Sequence, residues 1–183
     1  MKKIIIGSLV SAIILFSWQS VSWMFLPFHD AGMLQAPAQD SLIQTLSSVL
    51  KEEGQYLIPR EKIGSSTETQ EKFMKDRIGK PWAMITYHTS MVSNMGSAML
   101  RGFLIALACA FLVVLTLSKM QSSGFASIFF STLSVGIICF LYVWYNNHNW
   151  FQTPWSVLKG EGIDLIASWG LTGIWLGWWM GKK

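Results

Sequence analysis

The chain has 183 residues, 51% of them hydrophobic and only 13% charged, with a mean hydropathy of +0.39. A soluble domain of this length carries about a quarter charged residues, so the composition argues against one. The net charge of +4 is modest and includes lysines at both ends. No basic run or aromatic-interleaved basic patch occurs, which leaves no case for nucleic acid as a partner.

Residues 4–26 begin after Lys2 and Lys3 and run apolar through Trp18 and Trp23. A secretory signal peptide starts in this way. The run passes twenty residues, however, and near a plausible cleavage site it offers only Ser20 and Ser22 among bulky neighbours. An uncleaved transmembrane helix is the reading adopted, ended by Pro27, with Gly7, Ser8, Ser11 and Ala12 as small packing surfaces. Gln19 should face another helix or water.

Residues 27–90 carry eight of the ten acidic residues and seven of the fourteen basic ones. This is a solvated insert. Leu42, Ile43, Leu46, Val49 and Leu50 recur at helical spacing and predict an amphipathic helix over 41–53, with Ser41 and Gln44 as its capping box and Gly54 at its end. A strand is expected near 55–59. A weaker helix follows, with Thr67 and Gln70 as capping box and Gly79 at its close. The alternation through Ile85, Thr86 and Tyr87 predicts a second strand near 82–88. So small a core cannot stand alone. The insert should rest on the helices, on lipid headgroups or on another protein, with the strands expected as a cap across the helix ends.

A second apolar run spans 91–118, with Ala98, Gly102, Ala106 and Ala110 four apart and Arg101 as its one interruption. Lys119 and a short polar link follow. The third run, 125–145, ends in an aromatic belt of Tyr142, Trp144 and Tyr145. A polar and aromatic loop is expected over 146–162. The last run, 163–181, places Gly173, Gly177 and Gly181 four apart, so they line one side of a helix that expects a close partner. Cys109 and Cys139 lie inside apolar runs and read as buried thiols packing as small hydrophobes.

The fold class expected is therefore mainly α, a four-transmembrane-helix bundle with a small α+β extracytoplasmic insert between helices 1 and 2. With four crossings, Lys2, Lys3, Lys119, Lys182 and Lys183 share one side, and short basic flanks mark the cytoplasmic face. Both termini are then cytoplasmic.

Candidate chemistry is sparse. His29, His88 and His148 fall on the outer side, each near a helix end, with Asp30, Glu161 and Asp164 as neighbouring acids. These groups would be the ligands if a transition metal were bound, although none has the i, i+4 spacing of a helical metal motif. Ordinary interfacial histidines are the plainer reading, and no cofactor is expected. Arg101 and Asp164 stand near the outer ends of parallel helices and could pair; equally, Arg101 could reach the headgroups alone. No G-x-S-x-G elbow, H-E-x-x-H or phosphate loop occurs.

The segments I-I-L-F-S-W-Q-S-V-S-W, K-P-W-A-M-I-T-Y-H with R-G-F-L after it, and S-W-G-L-T-G-I-W-L-G-W-W resemble a group of small four-pass bacterial inner-membrane proteins. The resemblance implies a bacterial origin and a periplasmic insert. It implies no activity, and no catalytic residue is carried over from it. Three functions follow in order of preference. The first is a non-enzymatic accessory or scaffolding subunit, whose partners are the lipid bilayer and other membrane-protein subunits or a second copy. The second is a small transporter or channel for an ion or polar solute, lined by Gln19, Asn94 and Arg101, against which stands an inner half nearly free of polar side chains. The third is a metal-assisted envelope or lipid enzyme using the three histidines.

Overall fold

The structure is a computed structural model describing residues 1–120 and 124–181. The polar link at 121–123 and the terminal Lys182 and Lys183, on which part of the expected topology rests, lie outside the described residues. In chain order the elements are α1 (Lys2–Phe25), α2 (Gln39–Val49), β1 (Gly54–Ile58), α3 (Thr67–Arg77), β2 (Ala83–Tyr87), α4 (Met95–Leu117), α5 (Phe125–Cys139), α6 (Asn146–Phe151) and α7 (Trp155–Met180). The chain divides into two units, Met1–Leu34 with Asn94–Lys183, and Gln35–Ser93.

The first unit is a helix bundle in which α7 has the most buried residues. It packs along α1 and α5, and α4 packs along α1. Trp179 Nε1 donates to Lys3 O at one end of the α1–α7 pair, and Trp18 Nε1 donates to Asp164 at the other, so the two helices run antiparallel. Glycine permits the close approach of α5 and α7: a Cβ built on Gly136 would stand 2.7 Å from Leu165 O, and one on Gly177 would stand 2.8 Å from Phe125 Cδ2. Gly173 meets Phe129 and Gly181 meets Phe125 in the same way. The glycine side of the last helix thus finds its partner in the third. On α4, Ala110 is fully buried and Ala106 packs against the core, Gly102 lies against Phe16, and Ala98 is exposed, so that ribbon is used from Gly102 to Ala110.

Two apolar clusters fill the bundle. One joins Ala12 and Leu15 of α1 to Ala110 and Trp169. The other joins Val114 and Leu117 of α4 to Ile128 and Leu176. Cys139 is half-buried and Cys109 is exposed, which corrects the expectation of two buried thiols.

Among the described residues three helices are long and apolar enough to cross a membrane: Lys2–Phe25, Met95–Leu117 and the continuous Phe125–Phe151. The expected fourth, α7, does not reach that level, and the count of apolar spans is corrected from four to three. The reason lies in its surroundings. Ten of its 26 residues are buried against protein, among them Gly160, Gly162, Asp164, Ser168 and Thr172, so its packed side carries residues of low hydropathy that a side facing lipid would not.

The loop expected over 146–162 is also corrected. The third helix continues through a π-helical stretch, Phe140–Tyr145, into α6, and only 152–154 are non-helical before α7 begins. Gln152 takes a left-handed conformation, φ 52°, and Pro154 sets the N-cap of α7. Gly160 and Gly162 read as loop residues in sequence, yet both are packing sites inside the helix, against Phe28 with His29 and against Phe140.

In the second unit β1 and β2 pair antiparallel from Gly54↔Tyr87 to Ile58↔Ala83, matching the two expected strands. Helix α2 starts earlier than its proposed capping box. Ala38 is the N-cap, with φ 50°, and Ser41 Oγ donates back to Ala38 O instead of accepting from the helix. The helix ends at Val49, and Gly54 opens the strand. The N-cap of α3 is Ser66, one residue before Thr67, and its Oγ accepts from Thr69 N at 3.2 Å. Gly79, at φ +78°, follows the helix end as expected.

Candidate functional site

Helix α1 stops because Leu26 must be extended ahead of Pro27. The chain then turns back through His29 and a single 3₁₀ turn, Asp30–Gly32. Gly160 lets this turn lie directly on α7: a Cβ there would come within 2.8 Å of Phe28 O and 2.9 Å of His29 Nδ1. One helical turn farther along the same side stands Asp164. Opposite it on α1, Trp18 and Ser22 are also one turn apart.

These residues close around one carboxylate. Asp164 Oδ1 accepts from Ser22 Oγ and from Trp18 Nε1 at 3.1 Å. Asp164 Oδ2 lies 3.1 Å from His29 Nε2, which is also 3.3 Å from Ser22 Oγ. Because the serine proton is committed to the carboxylate, the ring nitrogen bridges both oxygens as a donor. His29 Nδ1 faces Glu161 Oε1 at 4.0 Å. The indole of Trp23 stacks on the imidazole, centroids 3.9 Å apart. Asp164 is 9% exposed. Beside the cluster, Trp23, Leu26, His29, Asp30 and Met33 line an open cavity of about 340 Å³.

The arrangement differs from a nucleophilic triad in one decisive respect. There the serine and the acid occupy opposite nitrogens of the imidazole, so that the ring can take the hydroxyl proton. Here they share Nε2, and the hydroxyl points at the acid. This cluster ties α1 to α7. It does not sharpen a nucleophile.

The three histidines do not stand in one setting. His29 belongs to this cluster. His88 follows β2 and lies 3.6 Å from Glu53 within the insert. His148 lies in α6, with Nδ1 2.7 Å from Thr153 O. Among the described residues no group of three histidine, cysteine or acidic side chains has metal-holding geometry; Asp164 and Glu161 sit on opposite nitrogens of His29 and so do not share a point with it.

The suggested Arg101–Asp164 pair is replaced by the cluster: Arg101 is exposed on α4, and Asp164 takes Trp18, Ser22 and His29 instead. Gln19 and Asn94, expected with Arg101 to line a vestibule, are exposed too. Trp18 and Ser22 carried no signal in the sequence beyond their i, i+4 spacing. Read against Gly160 and Asp164, also i, i+4, that spacing marks two facing helix sides.

Comparison with protein-family models, with curated proteins and with solved structures finds no match for this chain.

Proposed function

We propose that the chain is a non-enzymatic, multi-pass integral membrane protein acting as an accessory or scaffolding subunit of a larger assembly in a bacterial inner membrane. The observation that carries this reading is the state of the insert. Among the described residues of Gln35–Ser93, Tyr87 alone is buried, while Leu42, Ile43 and Val49 leave the apolar side of α2 exposed. An extramembrane segment that buries so little of its own apolar surface is completed by another surface.

Four crossings fit this reading. Helix α7 runs the length of α1 and is tied to it at both ends, so it traverses the same thickness with its glycine, serine and threonine side turned to protein. Lys2, Lys3 and Lys119 then face the cytoplasm together with both termini, and the insert lies outside. The resemblance to small four-pass inner-membrane proteins agrees with that orientation.

Extraction of native membranes in mild detergent tests the role. The chain is expected to elute within a stable complex larger than itself, and Leu42→Asp with Ile43→Asp should release it while the helix bundle melts at an unchanged temperature. A monodisperse monomer from native membranes would overturn the accessory reading.

A further inference from the structure

Most of the buried polar side chains of the bundle lie on two helices, α1 and α7. On α7, Asp164, Ser168 and Thr172 follow at i, i+4 and i+8, which sets neighbours about 6 Å apart along one side. On α1, Ser8, Ser11, Leu15, Trp18 and Ser22 follow at alternating steps of three and four, the repeat that keeps one seam turned toward a partner helix. Trp18 and Ser22 show that the partner is α7, since both donate to Asp164. The register fixed by those bonds, and by Trp179 on Lys3 at the other end, sets Ser11 at the level of Thr172 and Ser8 at the level of Trp175.

Ser8 and Ser11 behave unlike their neighbours. Thr132 and Thr172 each return the hydroxyl proton to their own helix, to Ile128 O and Ser168 O. Ser8 Oγ and Ser11 Oγ have no partner among the described residues, and neither has Trp175 Nε1. The two serines are 3% and 0% exposed. A buried hydroxyl without a partner is costly, and in native proteins an ordered water commonly supplies the bond. Three such groups fall at adjoining levels of one seam.

We propose that the α1–α7 seam holds a chain of bound waters that carries protons between the His29–Asp164 cluster and the inner end of the bundle at Ser8. Water in the outer cavity, beside Asp30 and Glu161, gives a proton to His29 Nδ1. The imidazolium passes its Nε2 proton to Asp164 Oδ2, and Asp164 releases a proton to water beside Ser168. The proton continues past Thr172 and Ser11. A half turn of the ring about Cβ–Cγ, which preserves its plane against Trp23, frees Nε2 from Asp164. Water of the outer cavity then protonates Nε2 and takes the Nδ1 proton, and the ring turns back as the starting tautomer. No bond other than O–H and N–H is made or broken, and one proton leaves for each that enters. This function goes beyond the accessory role and does not depend on it, because it resides wholly in the bundle.

Full-length chain in sealed liposomes containing a pH-reporting dye, with a potassium diffusion potential imposed, measures it. Acidification is expected several-fold faster than in protein-free vesicles. Thr172→Val, which keeps the volume and removes the hydroxyl, should slow it at least fivefold, and Asp164→Asn should bring it to background. If Asp164→Asn fails to insert, Thr172→Val decides. Wild-type flux equal to that of empty vesicles, or flux unchanged in correctly inserted Thr172→Val, overturns the proposal. Complex formation is read separately by detergent extraction, so failure of one reading leaves the other standing.

Discussion

In the bundle, Asp164 gathers Trp18, Ser22 and His29 from 146, 142 and 135 positions away. In the insert, nearly every side-chain hydrogen bond joins close neighbours, as Ser41 to Ala38, Thr45 to Ser41 and Gln70 to Ser65. The longest reach there is Glu53 to Thr89, 36 positions apart. The two regions also treat apolar residues differently. The bundle encloses Leu158, Val114 and Leu176 at its centre, whereas in the insert Tyr87 alone is buried. The contrast separates two sources of order. One region is specified by distant polar ties and near-touching backbones, the other by local backbone chemistry that builds elements without enclosing them.

The comparison breaks most severely at Asp164. Asp164→Ala removes the one acceptor shared by an indole N–H, a hydroxyl and an imidazole, all at least partly buried. Loss of one partner from a buried charged cluster costs about 3–5 kcal/mol. The bundle transition followed by near-ultraviolet circular dichroism in detergent should fall accordingly. Single substitutions of exposed polar residues in the insert, such as Thr45→Ala, should stay within about 0.5 kcal/mol of wild type. Equal effects in the two regions would erase the distinction.

Next in size are the glycines, which fail for different reasons in the two regions. Gly136→Ala drives a Cβ against Leu165 O and the Trp169 side chain. Backbone cannot yield as a flexible side chain does, so overpacking should cost about 1–3 kcal/mol. In the insert, Gly64 has open space around it and a φ of +91°. Gly64→Ala should cost about 1 kcal/mol through backbone conformation alone. Gly96→Ala, helical and with open space, serves as the control and should be neutral or slightly stabilising. Thermal unfolding of the three variants side by side checks the order. A Gly136→Ala variant as stable as Gly96→Ala would mean that α5 and α7 do not approach so closely.

How much of this was legible beforehand follows the same division. The strands were readable because Ile85-Thr86-Tyr87 alternates and is β-branched or aromatic, and β2 falls at Ala83–Tyr87 inside the expected span. The glycine side of α7 was readable from spacing, and it meets Phe129 and Phe125 as a packing face should. At the start of α2 a serine followed by glutamine at the third position suggests a cap whichever way the hydroxyl turns, and Ser41 turns back to Ala38. The first two turns of α7 are hidden in the sequence because Gly160 and Gly162 signal a break there. Their purpose appears only when Phe28, His29 and Phe140 are beside them. For the same reason the cluster at Asp164 was not foreseen. Neither Ser22 nor Trp18 says which distant helix it faces, and Arg101 looked the better partner by charge alone.

The smallest effect concerns the insert's one longer tie. Glu53 Oε1 accepts from both Thr89 Oγ1 and Thr89 N, at 2.8 and 3.1 Å. The Thr89 hydroxyl, then its amide, hold the Glu53 carboxyl below the ordinary glutamate range, with His88 adding a weaker pull. A carboxyl depressed in the folded state lends stability that is fully present above its unfolded pKa, about 4.3, and is lost as the pH falls through the lower folded value. The tie between the head of β1 and the tail of β2 should therefore hold at neutral pH and open only under acid. Thr89→Val removes the hydroxyl bond and spares the amide, so the Glu53 midpoint, followed by the carbon shift of its carboxyl group, should move partway back toward the ordinary range. A midpoint unmoved by Thr89→Val would show that the hydroxyl does not bind this carboxylate in solution. The insert would then be held by local bonds and strand pairing alone, which makes its contrast with the bundle sharper still.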